Sequence, residues 1–453
     1  MDAITHSVTI DADKCTGCIN CIKRCPTEAI RVRNGKAVIT SDRCIDCGEC
    51  IRVCPNHAKK AISDPITMTE GFKYKVAIPA PALYGQFKNV NDVNVILTAI
   101  LESGFDDVYE VALGAQSVSD YIHDILPEAN KRLRGPIISS ACPVVVKLIS
   151  IRYPGLIDNV VNVMTPVELT AVAARGMAVQ KTVFLPDEIG IFLISPCPAK
   201  ITASKYPITL ENAVIDGVFP INELYKNLAP SVTRMKDPKN LSVAGNRGIG
   251  WASSGGEGKA IGESLFVAAD GIHNIIRVLD EMENDKIQSV RFVELNACPA
   301  GCVGGCLAVE NPFVARARIQ RMNQTVSPEK DHNKVDDRYL GPETLEWSKP
   351  LEYEAVLQID ANRTIAMRKL AEIDAIKKSL PGIDCGSCGA PSCHALAEDI
   401  VMGSAHESDC VFKLKEQMKR LFGEMAELYD YNPPPFRSTP GSEAPPPSCA
   451  KGV

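Results

Sequence analysis

No apolar run among the 453 residues reaches the roughly 18 that would cross a membrane. The opening MDAITHSVTI has neither a charged leader with an apolar core nor a twin-arginine signal. No membrane association is therefore expected, and the chain is expected to be cytoplasmic. Basic clusters, and basic stretches interleaved with aromatics, are also missing, and the formal net charge is -6. A nucleic-acid surface is excluded on both counts. The composition is ordinary for globular protein, with 45% apolar and 23% charged residues, and the length allows about three domains. Disorder can only be local.

What the chain has in excess is cysteine. Eighteen thiols in a protein expected to stay in a reducing compartment do not build a disulfide framework, which leaves metal as their use. From Cys15 the sequence reads CTGCINCIKRCP, and from Cys44 it reads CIDCGECIRVCP. Both are the bacterial ferredoxin run, in which close thiols end in Cys-Pro. In two-cluster ferredoxins the fourth thiol of each run serves the other cluster. Cys15, Cys18, Cys21 and Cys54 are thus expected to hold one 4Fe-4S cluster, and Cys44, Cys47, Cys50 and Cys25 a second. Zinc at the CxxC pairs is the competing assignment. The strand-like SVTIDAD and AVITSD precede the runs and should supply the antiparallel sheet of an α+β ferredoxin domain over residues 1–66.

Residues 67–345 alternate apolar runs with amphipathic stretches, the pattern of a wound α/β domain. KVAIPAPAL, DVYEVALGA, GPIISSAC, IGIFLISP and SVRFVELNA are expected as buried strands. NVNDVNVILTAILESG, SVSDYIHDIL and TPVELTAVAARGM are expected as helices. Thr165, Pro166 and Glu168 spell a helix start: a cap, a first-turn proline and the glutamate of a capping box.

A polar stretch around SPEKDHNKVDDRYLGPE marks a linker or excursion. Residues 346–431 are expected to form a small, mainly α module, helical from about Glu354 to Ser379 up to the Leu380-Pro381-Gly382 break. CGSCGAPSC then brings Cys385, Cys388 and Cys393, with Cys410 after a further helix. This resembles the four-cysteine cluster module of corrinoid iron-sulfur proteins and of electron-transport subunits, which implies a third 4Fe-4S cluster; a zinc knuckle is the alternative. Val411, Leu414, Met418, Leu421, Met425 and Leu428 alternate by three and four, a stripe that packs on its own domain or pairs in a homodimer or with a partner helix. From residue 432 the proline-rich tail, with Cys449, has no composition for a core.

Three more segments place thiols where packing does not explain them. PIISSACPVVV carries Cys142 and IGIFLISPCPAKITA carries Cys197, each after an apolar run and before a proline, which favours a turn at a strand end. ELNACPAGCVGGC carries Cys298 and Cys302, four apart, so that one helical turn would put both on one face. Open α/β sheets gather ligands at their strand ends, and the four thiols could meet there. In this order, and beside a ferredoxin-like amino terminus, the segments resemble the three loops of the iron-only (FeFe) hydrogenases.

The resemblance implies that Cys142, Cys197, Cys298 and Cys302 hold the H-cluster. That group is a 4Fe-4S cluster bridged by the last cysteine to a two-iron subsite with CO, cyanide and azadithiolate. The family's reaction is reversible, H2 = 2 H+ + 2 e-. Lys200 matches the family lysine that bonds a cyanide ligand; a solvated surface lysine is the plain alternative. Other positions depart from the family. Ala141 stands where catalytic members carry a proton-passing cysteine, and Ala203 where they carry a glutamate. Ser195 and Asn296 replace methionines that line the two-iron site, and Cys306 replaces a glycine, without an assigned role.

Glu257, in WASSGGEGKAIGE, occupies an apolar family position and is expected either as an alternative proton relay or as an exposed acid near a helix start. These changes resemble the sensory groups of the family, in which turnover is slow and H2 is detected. An ordinary electron-transfer hydrogenase serving ferredoxin or an NAD-linked complex is the second expectation, and a non-catalytic iron-sulfur carrier or scaffold the third. Implied partners are H2 and protons, a redox partner such as ferredoxin or a signalling protein, and the maturation proteins that build the two-iron unit. No PAS-like module is evident, so a downstream signal would pass through another protein.

Overall fold

The most apolar runs of the chain become parallel strands buried on both faces. In this computed structural model, which describes residues 6–132, 135–287, 289–340, 345–356 and 358–422, the chain falls into two compact units, Met1–Gln358 and Ile359–Val453. The first contains eleven of the strands among the described residues.

A four-stranded parallel sheet runs in the order β6-β5-β8-β9, with β5 Tyr74–Pro79, β6 Asp107–Val108, β8 Ile189–Ser195 and β9 Gly217–Pro220. All seven residues of β8 are buried, as expected of a strand covered on both sides. On one face Val76, Ile78, Ile191 and Leu193 pack with Val167, Ala171, Ala174 and Ala178 of the helix Pro166–Lys181. On the other, Ala77, Phe192 and Phe219 join residues of the helices Val93–Glu102 and Ile221–Arg234. Phe192 stacks on Phe219 at 5.4 Å and meets Phe72 edge-on at 5.5 Å. Burying one such ring contributes roughly 2–3 kcal/mol. The capping box forms as expected: the Glu168 N–H donates to Thr165 Oγ1 (3.3 Å), and the Thr165 N–H donates to Glu168 Oε2 (2.8 Å).

A second parallel sheet has the order β10-β11-β7, from β7 Ile137–Ile138, β10 Phe266–Asp270 and β11 Phe292–Asn296. Its Val293 and Leu295 pack with the helices Pro143–Arg152 and Ile272–Glu283.

The amino-terminal segment pairs differently from expectation. β1 Val8–Ile10 is antiparallel to β4 Lys59–Ala61, and β2 Ile30–Arg33 to β3 Lys36–Ile39. SVTIDAD and AVITSD therefore each pair with a segment that follows a cysteine run, and not with one another. This segment belongs to the same compact unit as the sheets, bonded to them by Ser7 Oγ to the Pro198 carbonyl (2.8 Å) and by Arg52 Nη2 to the Gly304 carbonyl (2.9 Å).

Other expectations need correction. DVYEVALGA is strand only at Asp107–Val108, because Val111 opens a helix of 22 residues to Arg132. KVAIPAPAL leaves the sheet at Pro79 and becomes a 3-10 turn over Pro81–Gln86. The helix expected from Glu354 starts at Arg363, behind its Asn362 cap. Trp347, Leu351 and Val356 instead pack against the second sheet's core, so the first unit extends past residue 345 to Gln358.

The second unit is a helical core. Ile373 and Leu380 pack with Leu396, Ala397 and Cys410, joining the helices Arg363–Ser379 and Cys393–Val401. The helix Val411–Phe422 carries the start of the apolar stripe, with Val411 54% and Leu414 42% exposed. The rest of the stripe from Leu421, the expected tail and Cys449 lie outside the side chains described.

Candidate metal centres

Each ferredoxin run wraps its thiols around a hollow that borrows one thiol from the other run. Cys15, Cys18, Cys21 and Cys54 line one small pocket, and Cys25, Cys44, Cys47 and Cys50 line another. Backbone amides already point at the sulfurs. Ala37 N–H donates to Cys15 Sγ (3.4 Å), Ala29 N–H to Cys25 Sγ (3.2 Å) and Ala58 N–H to Cys54 Sγ (3.3 Å). Such donors stabilise thiolate and cluster sulfur. Burial and the neighbouring thiols push Cys44 and Cys47 well above the ordinary thiol range. Four thiols crowded together suit a cationic cluster core, which offsets the mutual repulsion of their thiolates.

The third cage is assembled from three strand ends, one in each of β7, β8 and β11. Cys142 precedes the helix Pro143–Arg152, and Cys197 precedes the helix Pro198–Lys205. In both, the following proline fills the first helical position, where its missing N–H costs nothing. Two serines hold the turns: the Ala141 N–H donates to Ser139 Oγ (3.2 Å) and the Cys197 N–H to Ser195 Oγ (3.2 Å). Cys298 and Cys302 follow β11, but not on a helical turn. Ala300 (φ 60°) and Gly301 (φ 93°) take left-handed conformations, and only Cys302–Gly304 is a 3-10 turn. A Cβ on Gly301 would stand 2.6 Å from the Ala252 carbonyl oxygen, so the loop needs glycine to seat against the Trp251–Ser254 stretch.

The four sulfurs are within electrostatic reach of one another. Burial first, then Cys142, pushes Cys197 up; burial, then Cys197, does the same to Cys298. Cys302 is pushed up to about 11 by burial, while Lys200 pulls it down. Lys200 is half-buried and makes no hydrogen bond or ion pair among the described residues. An ammonium without an ion pair, whose charge reaches Cys197 and Cys302 as well as Glu168, fits an anionic group held by these thiols.

Two flanks border this cage. One is a pocket lined by Ala141, Val146, Leu193, Lys200, Ala203 and Ile215 among others, with Glu168 at its wall. On the other lie two buried carboxyls. Glu257 is 3% exposed and Glu294 1%, so Glu257 is not the exposed helix-start acid of the plainer expectation. Ser139 Oγ donates to Glu257 Oε2 at 2.6 Å. Glu294 accepts the N–H groups of Gly255 (2.9 Å) and Gly258 (3.0 Å) and the Asn296 amide (2.8 Å). Asn296 Oδ1 lies 3.9 Å from Cys302 Sγ. Burial, then the Glu294 charge, pushes Glu257 up to about 8, with the Ser139 hydroxyl opposing. Glu294 and Ser139 carry no role in the sequence analysis. The available signal is the period of two in β11, which puts Glu294 on the face of Asn296.

In the second unit, Cys388 is raised by burial and then by Cys385 and Cys410, opposed by the Ala390 amide. Cys393 starts the helix Cys393–Val401, and its N–H donates to Asp384 Oδ1 at 2.6 Å.

The family model for the iron-only hydrogenase large subunit, C-terminal domain, matches residues 73–265 and 257–306, together just over half of the chain. This protein belongs to that family. A 4Fe-4S dicluster domain matches residues 7–55, and an Fe-S cluster family matches residues 380–412. Iron hydrogenase 1 of Clostridium pasteurianum is 22% identical over 374 residues, 67% of this chain. The chain spans 65% of that relative's length. The periplasmic Fe hydrogenase large subunit of Nitratidesulfovibrio vulgaris is 25% identical over 363 residues, 66% of this chain and 86% of its own. A solved FeFe-hydrogenase structure, HydA(deltaEFG), is 15% identical with a TM-score of 0.46, covering 62% of this chain and 91% of that one. The chain is thus an FeFe-hydrogenase-like iron-sulfur protein with a ferredoxin-like segment, and no helix among its described residues is long and apolar enough to cross a membrane.

Proposed function

We propose that this chain is an FeFe hydrogenase of low turnover that detects H2. The observation that carries this is the meeting of Cys142, Cys197, Cys298 and Cys302 from three strand ends beside the unpaired Lys200. These thiols would hold the H-cluster, with Cys302 toward the two-iron subsite and Lys200 supplying charge to its anionic ligands. When bound, that group supplies an open iron site and an amine base for reversible cleavage of H2.

The chain's own residues set how protons reach it. Ala141 and Ala203 border a mainly apolar hollow and can neither donate nor accept a proton. Glu257 serves instead: burial and the neighbouring Glu294 favour its protonated form, in contact with the Ser139 hydroxyl, while burial also raises Glu294, opposed by the Gly255, Gly258 and Asn296 donors. Ser195 and Asn296 fix the cage loops through hydrogen bonds in place of the methionine contacts.

Electrons would pass through the two amino-terminal 4Fe-4S cages, with a third cluster at Cys385, Cys388, Cys393 and Cys410, to a ferredoxin-like or signalling partner. Detection in preference to bulk conversion is supported by the missing relay on the Ala141 flank, since a lost proton-transfer group typically costs about 10²–10⁴ in rate. Infrared spectroscopy of the chain loaded with the two-iron unit tests the assignment. Bands of iron-bound CO and cyanide are expected; their absence would leave an iron-sulfur carrier.

A further inference from the structure

The seam between the second ferredoxin cage and the hydrogenase cage holds a thiol that neither cage uses. Gly48, the residue after Cys47, has φ 73°, and a Cβ placed on it would stand 2.2 Å from Cys306 Sγ and 3.4 Å from Cγ of Pro198, the residue after Cys197. The Cys306 sulfur therefore fills the space over one cage's backbone and beside the other's. Its loop is fastened on both sides. Arg52 Nη2 donates to the Gly304 carbonyl at 2.9 Å, and the Leu307 N–H donates to the Pro196 carbonyl at 3.1 Å. A Cβ on Gly305 would stand 2.5 Å from that same Pro196 oxygen, so the loop has little room to move. Charge on Cys306 would be felt by Cys50 in one cage and by Cys298 in the other. Each cage already has four thiols of its own, and Cys306 is not needed as a ligand.

We propose that Cys306 is a positioning residue for electron transfer, its S–H dipole tuning the reduction potentials of the two 4Fe-4S centres that face each other across this seam. The proposal rests on the cluster assignments made above. Dipoles near cluster sulfur act strongly in a dry interior, and hydrogen bonds to the sulfurs are among the terms that set cluster potentials. One electron moves from one centre to the other; the thiol makes and breaks no bond. A donor directed at either centre favours its reduced, more negative form, and the S–H rotor can turn to either, so removing it lowers the potential of whichever centre it faces, or of both in proportion to the time spent on each.

The test is a potentiometric titration, followed by electron paramagnetic resonance, of the full chain carrying its 4Fe-4S clusters without the two-iron unit. Cys306→Ala should move one or both of the facing centres to more negative potentials and leave the centres at Cys15 and at Cys385 where they were. Cys306→Ser, which keeps a donor, should restore most of the shift. Unmoved potentials in Cys306→Ala, or an equal displacement of all centres, would overturn the proposal. Should the alanine chain lose iron, Cys306→Gly, the family's residue here, is read by the same criteria. If the unaltered chain shows no reducible iron-sulfur signal, the cluster assignment itself falls, and the tuning role with it.

Discussion

The alanines and the carboxyls near the four-thiol cage differ in what they can do with a proton. Ala141 and Ala203 line a pocket whose wall also carries Lys200 and Glu168, and Ala141 packs beside Trp251, Ala115 and Ala260 with its N–H on the Ser139 hydroxyl. At Glu257 and Glu294 two carboxyls are buried almost completely, each with hydrogen-bond partners. Burying an acid is costly unless its proton or its charge is provided for, and here one acid is given donors while the other keeps its proton. A structural role alone would be met more cheaply by an apolar residue at position 257. On the function proposed above, the Ser139–Glu257 pair takes over the proton handling that Ala141 and Ala203 cannot perform.

The contrast breaks most decisively at Glu257. Glu257→Gln, which keeps shape but cannot shuttle a proton, should lower H2 turnover about 10²-fold or more with iron content and infrared bands unchanged; unaltered turnover would return proton passage to the opposite flank. A smaller effect is expected there. Ala141→Cys puts a transferable proton on the apolar wall and should raise turnover by about tenfold, some 1.4 kcal/mol off the barrier. No gain would mean that proton supply does not limit the rate.

The smallest effect concerns stability. A carboxyl whose folded pKa is raised, from 4.5 unfolded to about 8, favours the native state fully below the unfolded value. That advantage is lost as pH rises from about 4.5 to about 8, because the folded chain binds the extra proton throughout that window. Denaturant titrations of the chain without its two-iron unit should show stability declining across the window. Glu257→Gln should reduce the slope; an unchanged slope would assign the titration to the other raised carboxyls, Glu294, Glu110 and Glu168.

The cage thiols were legible in the sequence because metal binding forces cysteine into recognisable spacings next to proline and glycine. The helix start at Thr165 was legible because capping is chemistry within four residues. Strand pairing was not: nothing near SVTIDAD says that its partner is Lys59–Ala61, a choice made by how the two cysteine runs fold over each other. DVYEVALGA misled because a run of small apolar residues suits a buried strand or helix equally, and tertiary packing chose the helix. Glu294 escaped notice since an acid within an apolar strand looks like an edge residue until the glycine-rich loop above it is seen to supply its donors. Cys306 had a position in a motif, yet its neighbours, Gly48 and Pro198, are far away in the chain.

The exchange of one thiol between the two ferredoxin runs has a further consequence for how the protein is made and lost. On the proposed cluster assignment neither run can finish its own enclosure, so the first inorganic core to be inserted would clamp the second half of the segment before that half had received iron. Assembly should accordingly be ordered and cooperative, and oxidative attack at either core should release both, unfastening β1 from β4 in the same event.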